Sequence, residues 1–323
     1  MENRIFKILS DMSEELNYQQ LEKLQQVLLM RLGNESDTEE KLLDNNDYLE
    51  LFVSSKRVEG CTERTIEYYR STIEKMLEEI DVPVRRITTE ILREYLTNYQ
   101  AKNNCSKVTI DNVRRNLSSF FSWLEDEDHI IKSPIRRIHK VKTRTVVKET
   151  LSDEQIEILR DGCHCARDLA IIDLLYSTGM RVGELCNLDI EDINFNEREC
   201  IVYGKGNKER KVYFDDKAKL HLKKYLEQRC DTNTALFVSL DNPSDRLSIH
   251  AVEYRLRMLG RELNISKVHP HKFRRSMATK AIDKGMPIEQ VQKLLGHQQI
   301  DTTMHYAMVN QVNVKMSHRK FMA

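Results

Sequence analysis

One stretch of this chain breaks the rhythm of the rest. Apolar residues recur at three- and four-residue spacing along most of the sequence, but residues 193–214, "INFNERECIVYGKGNKERKVYF", alternate apolar and polar instead. A period of two sends successive side chains to opposite faces, the pattern of an extended strand that buries one face. The segment predicts two or three short strands, with residues 194–198 and 204–207 as turns. Helical periodicity elsewhere makes the expected fold mainly α with a small antiparallel β-sheet.

The helix-period segments fall into groups. Residues 5–32 read as one or two short amphipathic helices ending near Gly33, followed by an acidic, polar tether, "GNESDTEEKLLDNND". Four more lie between residues 44 and 130: "YLELFVSSKRV", "TERTIEYYRSTIEKMLEEI" stopped by Pro83, "TTEILREYLTNYQAKN" and "SKVTIDNVRRNLSSFFSWLEDE". Their apolar stripes can bury one core around Leu51, Tyr69, Ile73, Leu92, Leu117, Phe120 and Trp123. Because Phe120, Phe121 and Trp123 follow a helix period, they are read as core and not as base-stacking platforms. Further on, Ser152 with Gln155 three residues later has the capping-box pattern. Helices are predicted through "RDLAIIDLLYST" and "RVGELCNL". Pro287 suits the first turn of "PIEQVQKLLG" and Gly296 its end, which puts His297 just past a helix terminus. The expected division is a helical extension and tether at 1–43, a helical domain at 44–131, a basic linker at 132–149, an α+β domain at 150–310 and a tail at 311–323.

Within the last large domain the order Arg181, Lys205, His271, Arg274, His297, Tyr306 carries the chemistry. Two guanidinium forks can each hold the non-bridging oxygens of one phosphate and stabilise charge that builds up in a transition state. A phenol is a poor nucleophile at neutral pH, since its pKa is about 10, so a histidine must take or share its proton. Lysine is a compact proton donor suited to a leaving 5′ oxygen. Such a set is what cleavage of a phosphodiester through a covalent protein–DNA bond requires.

The strings around these residues resemble the tyrosine recombinase (phage integrase) family, Xer-type and transposon integrases included. "STGMRVGELCNLDIEDI" resembles the family's first arginine box, with Glu184 at its acidic position as a supporting carboxylate, and "VYGKGNKERKV" its lysine hairpin, with the acid on Lys205 and not on Lys208. "HPHKFRRSMATKAIDKG" matches the His-x-x-Arg box at His271 and Arg274, and "QKLLGHQQIDTTMHYAMV" the final box at His297 and the nucleophile Tyr306. Four strings in order span about residues 150–310, and the helical unit before them resembles the family's SAM-like core-binding domain. Phe273 stands where the family often has Leu, and His305, read as a surface histidine, precedes the nucleophile; neither removes a catalytic group.

The resemblance implies a site-specific DNA recombinase that forms a 3′-phosphotyrosyl bond at Tyr306 and passes through a Holliday junction. Its biological task would be integration and excision of a mobile element or Xer-like resolution. Lys205 would protonate the 5′-hydroxyl, His271 would act on the phenolic proton and His297 would donate a hydrogen bond to a phosphate oxygen. The implied partners are duplex DNA with paired sites and further protomers, four in the synaptic complex. An accessory protein or a second protomer is the expected contact of the acidic N-terminal helix, and the tail, with Val312, Val314, Met316 and Phe321, is a candidate for packing on a neighbour. Two other readings stay open: a type IB topoisomerase-like enzyme and a catalytically silent DNA-binding regulator.

Overall charge is zero, with 51 Lys and Arg against 51 Asp and Glu, yet it is unevenly spread. Residues 1–50 hold 5 basic against 12 acidic side chains, whereas residues 51–148 hold 19 against 14. The local field is what meets a phosphate backbone. Its densest source is "KSPIRRIHKVKTRTVVK", where Arg136, Arg137, Lys140, Lys142 and Arg144 lie without an acid among them and read as a DNA-tracking strap. No cofactor and no metal are expected. There is no phosphate-cradling GxxxxGK[ST], and His269 and His271 have no Cys or carboxylate at ligand spacing. Seven irregularly spaced cysteines, Cys163 and Cys165 included, read as free thiols of a cytoplasmic protein. No apolar run approaches a membrane span, and the start lacks the features of a secretory signal.

Overall fold

A computed structural model of the chain describes residues 43–142, 149–204, 209–241, 244–297 and 299–304, the helix Tyr18–Leu32, and single positions at 8, 12, 16 and 322. It divides into two compact units, Met1–Arg144 and Thr145–Ala323.

In the first unit, helices Asn45–Val58, Glu63–Glu79, Thr89–Asn103 and Lys107–Asp126 follow Tyr18–Leu32. Each of the four starts where a side chain can accept an unpaired backbone N–H: Asp44 closes a capping box, and Thr62, Thr88 and Ser106 accept from the third residue on. The helix Glu63–Glu79 ends four residues before Pro83, and a 3-10 turn, Val84–Arg86, leads into the next helix. Phe52 sits at the centre of the core, edge-on to Tyr69, Phe120 and Trp123, with Ile73, Met76, Leu92 and Leu117 around it. One expected core residue is misplaced: Leu51 is 43% exposed. At about 100° per residue, Leu49, Phe52 and Val53 share the inward face of their helix, and Leu51 falls outside it.

The described part of the basic strap, residues 132–142, is fastened to this unit. Ile135, in the 3-10 turn Pro134–Arg137, is buried in the core. Glu125 accepts from the Ser133 N–H at 3.0 Å and from Arg136 at 3.2 Å, and the Thr89 hydroxyl donates to the Pro134 carbonyl at 2.6 Å. Farther along, the Val141 N–H donates to Asp111 at 3.0 Å. Burial would raise the Asp111 pKa, but that N–H and Arg114 outweigh it and hold the carboxyl below its ordinary value.

The second unit is built on the helix Ala166–Thr178, which packs against Asp216–Glu227 and Pro270–Asp283. Its sequence, "ARDLAIIDLLYST", is apolar on nearly all sides, as a helix surrounded by others must be. Strands β1 (Ile193–Asn194), β2 (Glu199–Tyr203) and β3 (Glu209–Tyr213) form one antiparallel sheet in that order. Register pairs Cys200 with Val212 and Val202 with Arg210. Cys200, Val202 and Val212 are buried, while Ile201, Tyr203 and Tyr213 face out. Ser152 and Gln155 close the anticipated capping box on Asp153–Asp161. Helices Val182–Asn187, Ile249–Glu262, Ile288–Leu295 and Ile300–Met304 complete the described unit. Pro287 occupies the cap position before Ile288, and Gly296 ends that helix at a φ of +65°, where a side chain is strained. No described helix is long and apolar enough to cross a membrane.

Candidate active site

Arg181 caps the helix Val182–Asn187 with its backbone in the extended region, and the carboxylate that answers it is Glu184, one turn on. Glu184 accepts the Arg181 N–H at 2.7 Å and its Nη1 at 2.9 Å. It is only 5% exposed and lies between two cations, because Arg210 of β3 reaches the same carboxylate with both terminal guanidinium nitrogens, Nη1 and Nη2, at 2.6 Å. Burial alone would raise the Glu184 pKa, yet the Arg210 and Arg181 donors hold it below the ordinary carboxyl range. The expected supporting carboxylate is therefore buried and ionised.

Arg274 stands on the helix Pro270–Asp283, started by Pro at its first position. It is 3% exposed and is fixed by two main-chain carbonyls: Nη1 donates to Gly179 O and Nη2 to Leu295 O, each at 2.6 Å. Both acceptors lie at helix ends, where carbonyls lack helical partners. Gly179 caps its helix at a φ of +62°, and a Cβ there would meet the Met277 Cε at 2.0 Å. A non-glycine residue there would be strained by the positive φ and would have to push the end of the Met277 side chain aside.

His297 follows Gly296 and comes to lie 3.0 Å from Arg274 Nη2 through Nε2, with Nδ1 2.9 Å from the Thr303 hydroxyl. Its carbonyl accepts from Gln292 at 3.0 Å. Burial, then the charges of Arg274, Arg181 and Arg210, push its pKa down to about 4, so the ring is neutral at pH 7. A guanidinium only donates, hence Nε2 accepts and the proton resides on Nδ1, facing Thr303. His271 lies one turn before Arg274 on the same helix face. Its pKa is lowered by packing first, then by Arg274, Arg275 and Arg181.

The structure thus gathers Arg181, Glu184, His271, Arg274 and His297. Lys205, Tyr306 and His305 lie outside the described residues, as does Arg144 of the strap; in sequence, Lys205 falls between β2 and β3, and Tyr306 two residues past Met304. Arg136 is paired to Glu125, and Arg137, Lys140 and Lys142 are exposed, all within the first unit. Among the described residues no cluster of His, Cys, Asp or Glu could hold a metal, and all seven cysteines are free.

Three features escaped the sequence reading. Arg210 occupies an inward position of an alternating strand, and a charge on the buried side of a sheet signals a buried partner of opposite sign. Thr303 carried no signal. The third is a row on the helix Ile249–Glu262, where His250 stacks on Tyr254 with centroids 6.4 Å apart and Arg257 and Arg261 continue the exposed stripe.

A helical unit thus precedes an α+β unit in which two arginines, two histidines and a buried carboxylate converge, a set chemically suited to holding a phosphate. The model of the phage integrase family matches residues 148–312, and that of the phage integrase N-terminal SAM-like domain matches residues 48–131. Tyrosine recombinase XerA of Pyrococcus furiosus is 35% identical over 275 residues, covering 84% of this chain and 92% of that one. Tyrosine recombinase XerC of Thermodesulfovibrio yellowstonii is 31% identical over 271 residues, covering 79% and 89%. The Tn1549 transposon integrase in complex with transposon right end DNA shares the fold at a TM-score of 0.70 and 19% identity, over 85% of this chain and 99% of that one. The chain belongs to the phage integrase family and is a site-specific tyrosine recombinase that breaks and rejoins DNA strands by transesterification.

Proposed function

We propose that Tyr306 attacks a scissile phosphate held by Arg181 and Arg274, and that the 3′-phosphotyrosyl bond it forms conserves the energy of the broken one. In that step the P–O5′ bond breaks, Lys205 gives its proton to the leaving 5′ oxygen, and His271 takes the proton of the phenol. His271 suits the task because its lowered pKa leaves it unprotonated at neutral pH. The 5′-hydroxyl of a partner strand reverses the reaction in trans, and two rounds of exchange on paired sites pass through a Holliday junction. Neither ATP nor a metal takes part in this scheme.

The observation that carries the reading is the convergence of Arg274 on His297 at 3.0 Å, with both histidines lowered by burial first and then by the charges of Arg274 and other arginines, Arg181 among them. His297 accepts from Arg274 in this state, so donation to a phosphate oxygen requires its proton to move from Nδ1 to Nε2. Thr303 permits this, because a hydroxyl that accepts from Nδ1–H can turn and donate to bare Nδ1.

Duplex DNA is tracked by the strap residues Arg137, Lys140, Lys142 and Arg144 and by the Arg257 and Arg261 stripe, with four protomers joining two sites. Residues 44–131 serve as the core-binding domain and 150–310 as the catalytic one. The acidic helix before them makes a protein contact, with an accessory factor or another protomer. Seven free thiols suit work in the cytoplasm. Mobile-element integration and Xer-like resolution remain the two tasks this chemistry serves. A topoisomerase-like or silent regulatory role is not favoured, since the matched relatives are recombinases. Plasmids carrying two copies of a candidate site, one copy, or none test the reading. Recombinant product is expected from paired sites alone and none from Tyr306→Phe; relaxation of plasmids of any sequence without recombinants would overturn it.

A further inference from the structure

We propose that Arg210 is a positioning residue for strand cleavage: by neutralising buried Glu184 it leaves the charge of Arg181 to act on the scissile phosphate. The inference rests on the reading of Arg181 as a phosphate ligand and gives a role to Arg210, which the lysine-hairpin string contains without one.

Glu184 has four hydrogen bonds on two oxygens. Oε1 takes Nη1 of Arg181 and Nη1 of Arg210; Oε2 takes the Arg181 N–H and Nη2 of Arg210. Four donors fill the acceptor capacity of a carboxylate. Arg181 and Glu184 by themselves sum to no charge, and a nearly buried carboxylate beside the phosphate repels an anion of its own sign. With Arg210 the trio is net positive. The exposures divide the work between the two arginines: the Arg181 side chain is 36% exposed and Arg210 only 12%, so Arg181 faces the incoming backbone and Arg210 stays behind the carboxylate.

Arg210 is also well anchored for the task. It pairs with Val202 on the buried side of the sheet, and its Nε donates to the Leu294 carbonyl at 3.2 Å, on the last turn of the helix that delivers His297. Because Lys205 lies between β2 and β3 in sequence, the residue joins the strand after the proton donor, the first arginine and the segment before the second histidine. A bidentate fork is what this geometry uses, and lysine would keep the charge while losing it.

The test uses single-turnover cleavage of a nicked site by the full chain, with a phosphodiester or an uncharged methylphosphonate at the scissile position. Arg210→Met should slow phosphodiester cleavage about 100-fold, the scale of losing one preorganised electrostatic group, while site binding persists. Adding Glu184→Gln should recover most of that loss, because no buried charge is left to compensate. On the methylphosphonate the gap between wild type and Arg210→Met should shrink to a small factor. A double variant no faster than Arg210→Met, or an equal loss on both substrates, would overturn the proposal and leave Arg210 a purely architectural residue. Should Arg210→Met fail to fold, the double variant, which leaves no unpaired buried carboxylate, decides the matter: phosphodiester cleavage near the wild-type rate is expected, and a loss approaching about 100-fold would overturn the proposal. If the wild type formed no Tyr306-dependent adduct on either substrate, the reading of the site itself would fall; an active wild type with failed Arg210 arms would end this inference alone.

Discussion

His271 and His297 share one neighbourhood but differ in what their surroundings permit. Burial first and arginine charges second lower both, so both rings are neutral at pH 7. For catalysis the sign is simple: a base with a depressed pKa stays competent as pH falls until its own pKa is crossed. Single-turnover cleavage should therefore hold below the ordinary imidazole value near 6.5 and then decline, and His271→Ala should lose that acid limb. A midpoint at or above the free imidazole value would contradict the assignment. The linkage to folding runs the same way. A buried neutral histidine binds protons more readily once unfolded, so these rings contribute stability above the unfolded pKa that is lost on acidification. Glu184, held ionised, likewise contributes above its unfolded pKa and less as pH falls through the folded one. Thr303→Val removes the hydroxyl that serves both tautomers of His297. Cleavage rate should drop about tenfold or more, with site binding retained; an unchanged rate would show that His297 needs no proton relocation.

At the scale of elements, the helices announce themselves through periodicity and caps, and the sheet through alternation. The Ser152 cap and the Gly296 stop are where the sequence placed them, because each depends on one residue and its immediate neighbours. Facing was harder. Leu51 looks like core in a string of apolar residues, but Phe52 holds the centre, and rotation about the helix is set by what packs opposite. Phe52→Ala should cost about 3–5 kcal/mol in urea unfolding and Leu51→Ala about 0.5 kcal/mol or less; comparable losses would refute the assigned facing. The arginines, histidines and Glu184 were legible because the strings around them are long and ordered. Arg210 was not, since its meaning comes from a carboxylate 26 positions away. The strap shows the same limit. Its charge could be read directly, whereas the anchors on Asp111, Glu125 and Thr89 are tertiary and leave no local pattern.

Across the whole molecule, a chain of zero net charge keeps its charges apart, acidic over residues 1–50 and basic through the strap, and the proposed function puts that basic stretch on the DNA backbone. Each phosphate contact releases counterions, so Lys140→Ala with Lys142→Ala should lower the slope of log K against log salt by about 2, uniformly across DNA sequences. An unchanged slope would remove the strap from the DNA interface. All of these effects serve one covalent event. Its most direct measurement is to trap the protein on a nicked recombination site without added metal, digest the adduct, and read by mass spectrometry which side chain carries DNA and through which end. The expected result is a 3′-linked nucleotide on the peptide containing Tyr306, absent from Tyr306→Phe. A 5′ linkage, another side chain, or an adduct that survives in Tyr306→Phe would contradict the mechanism.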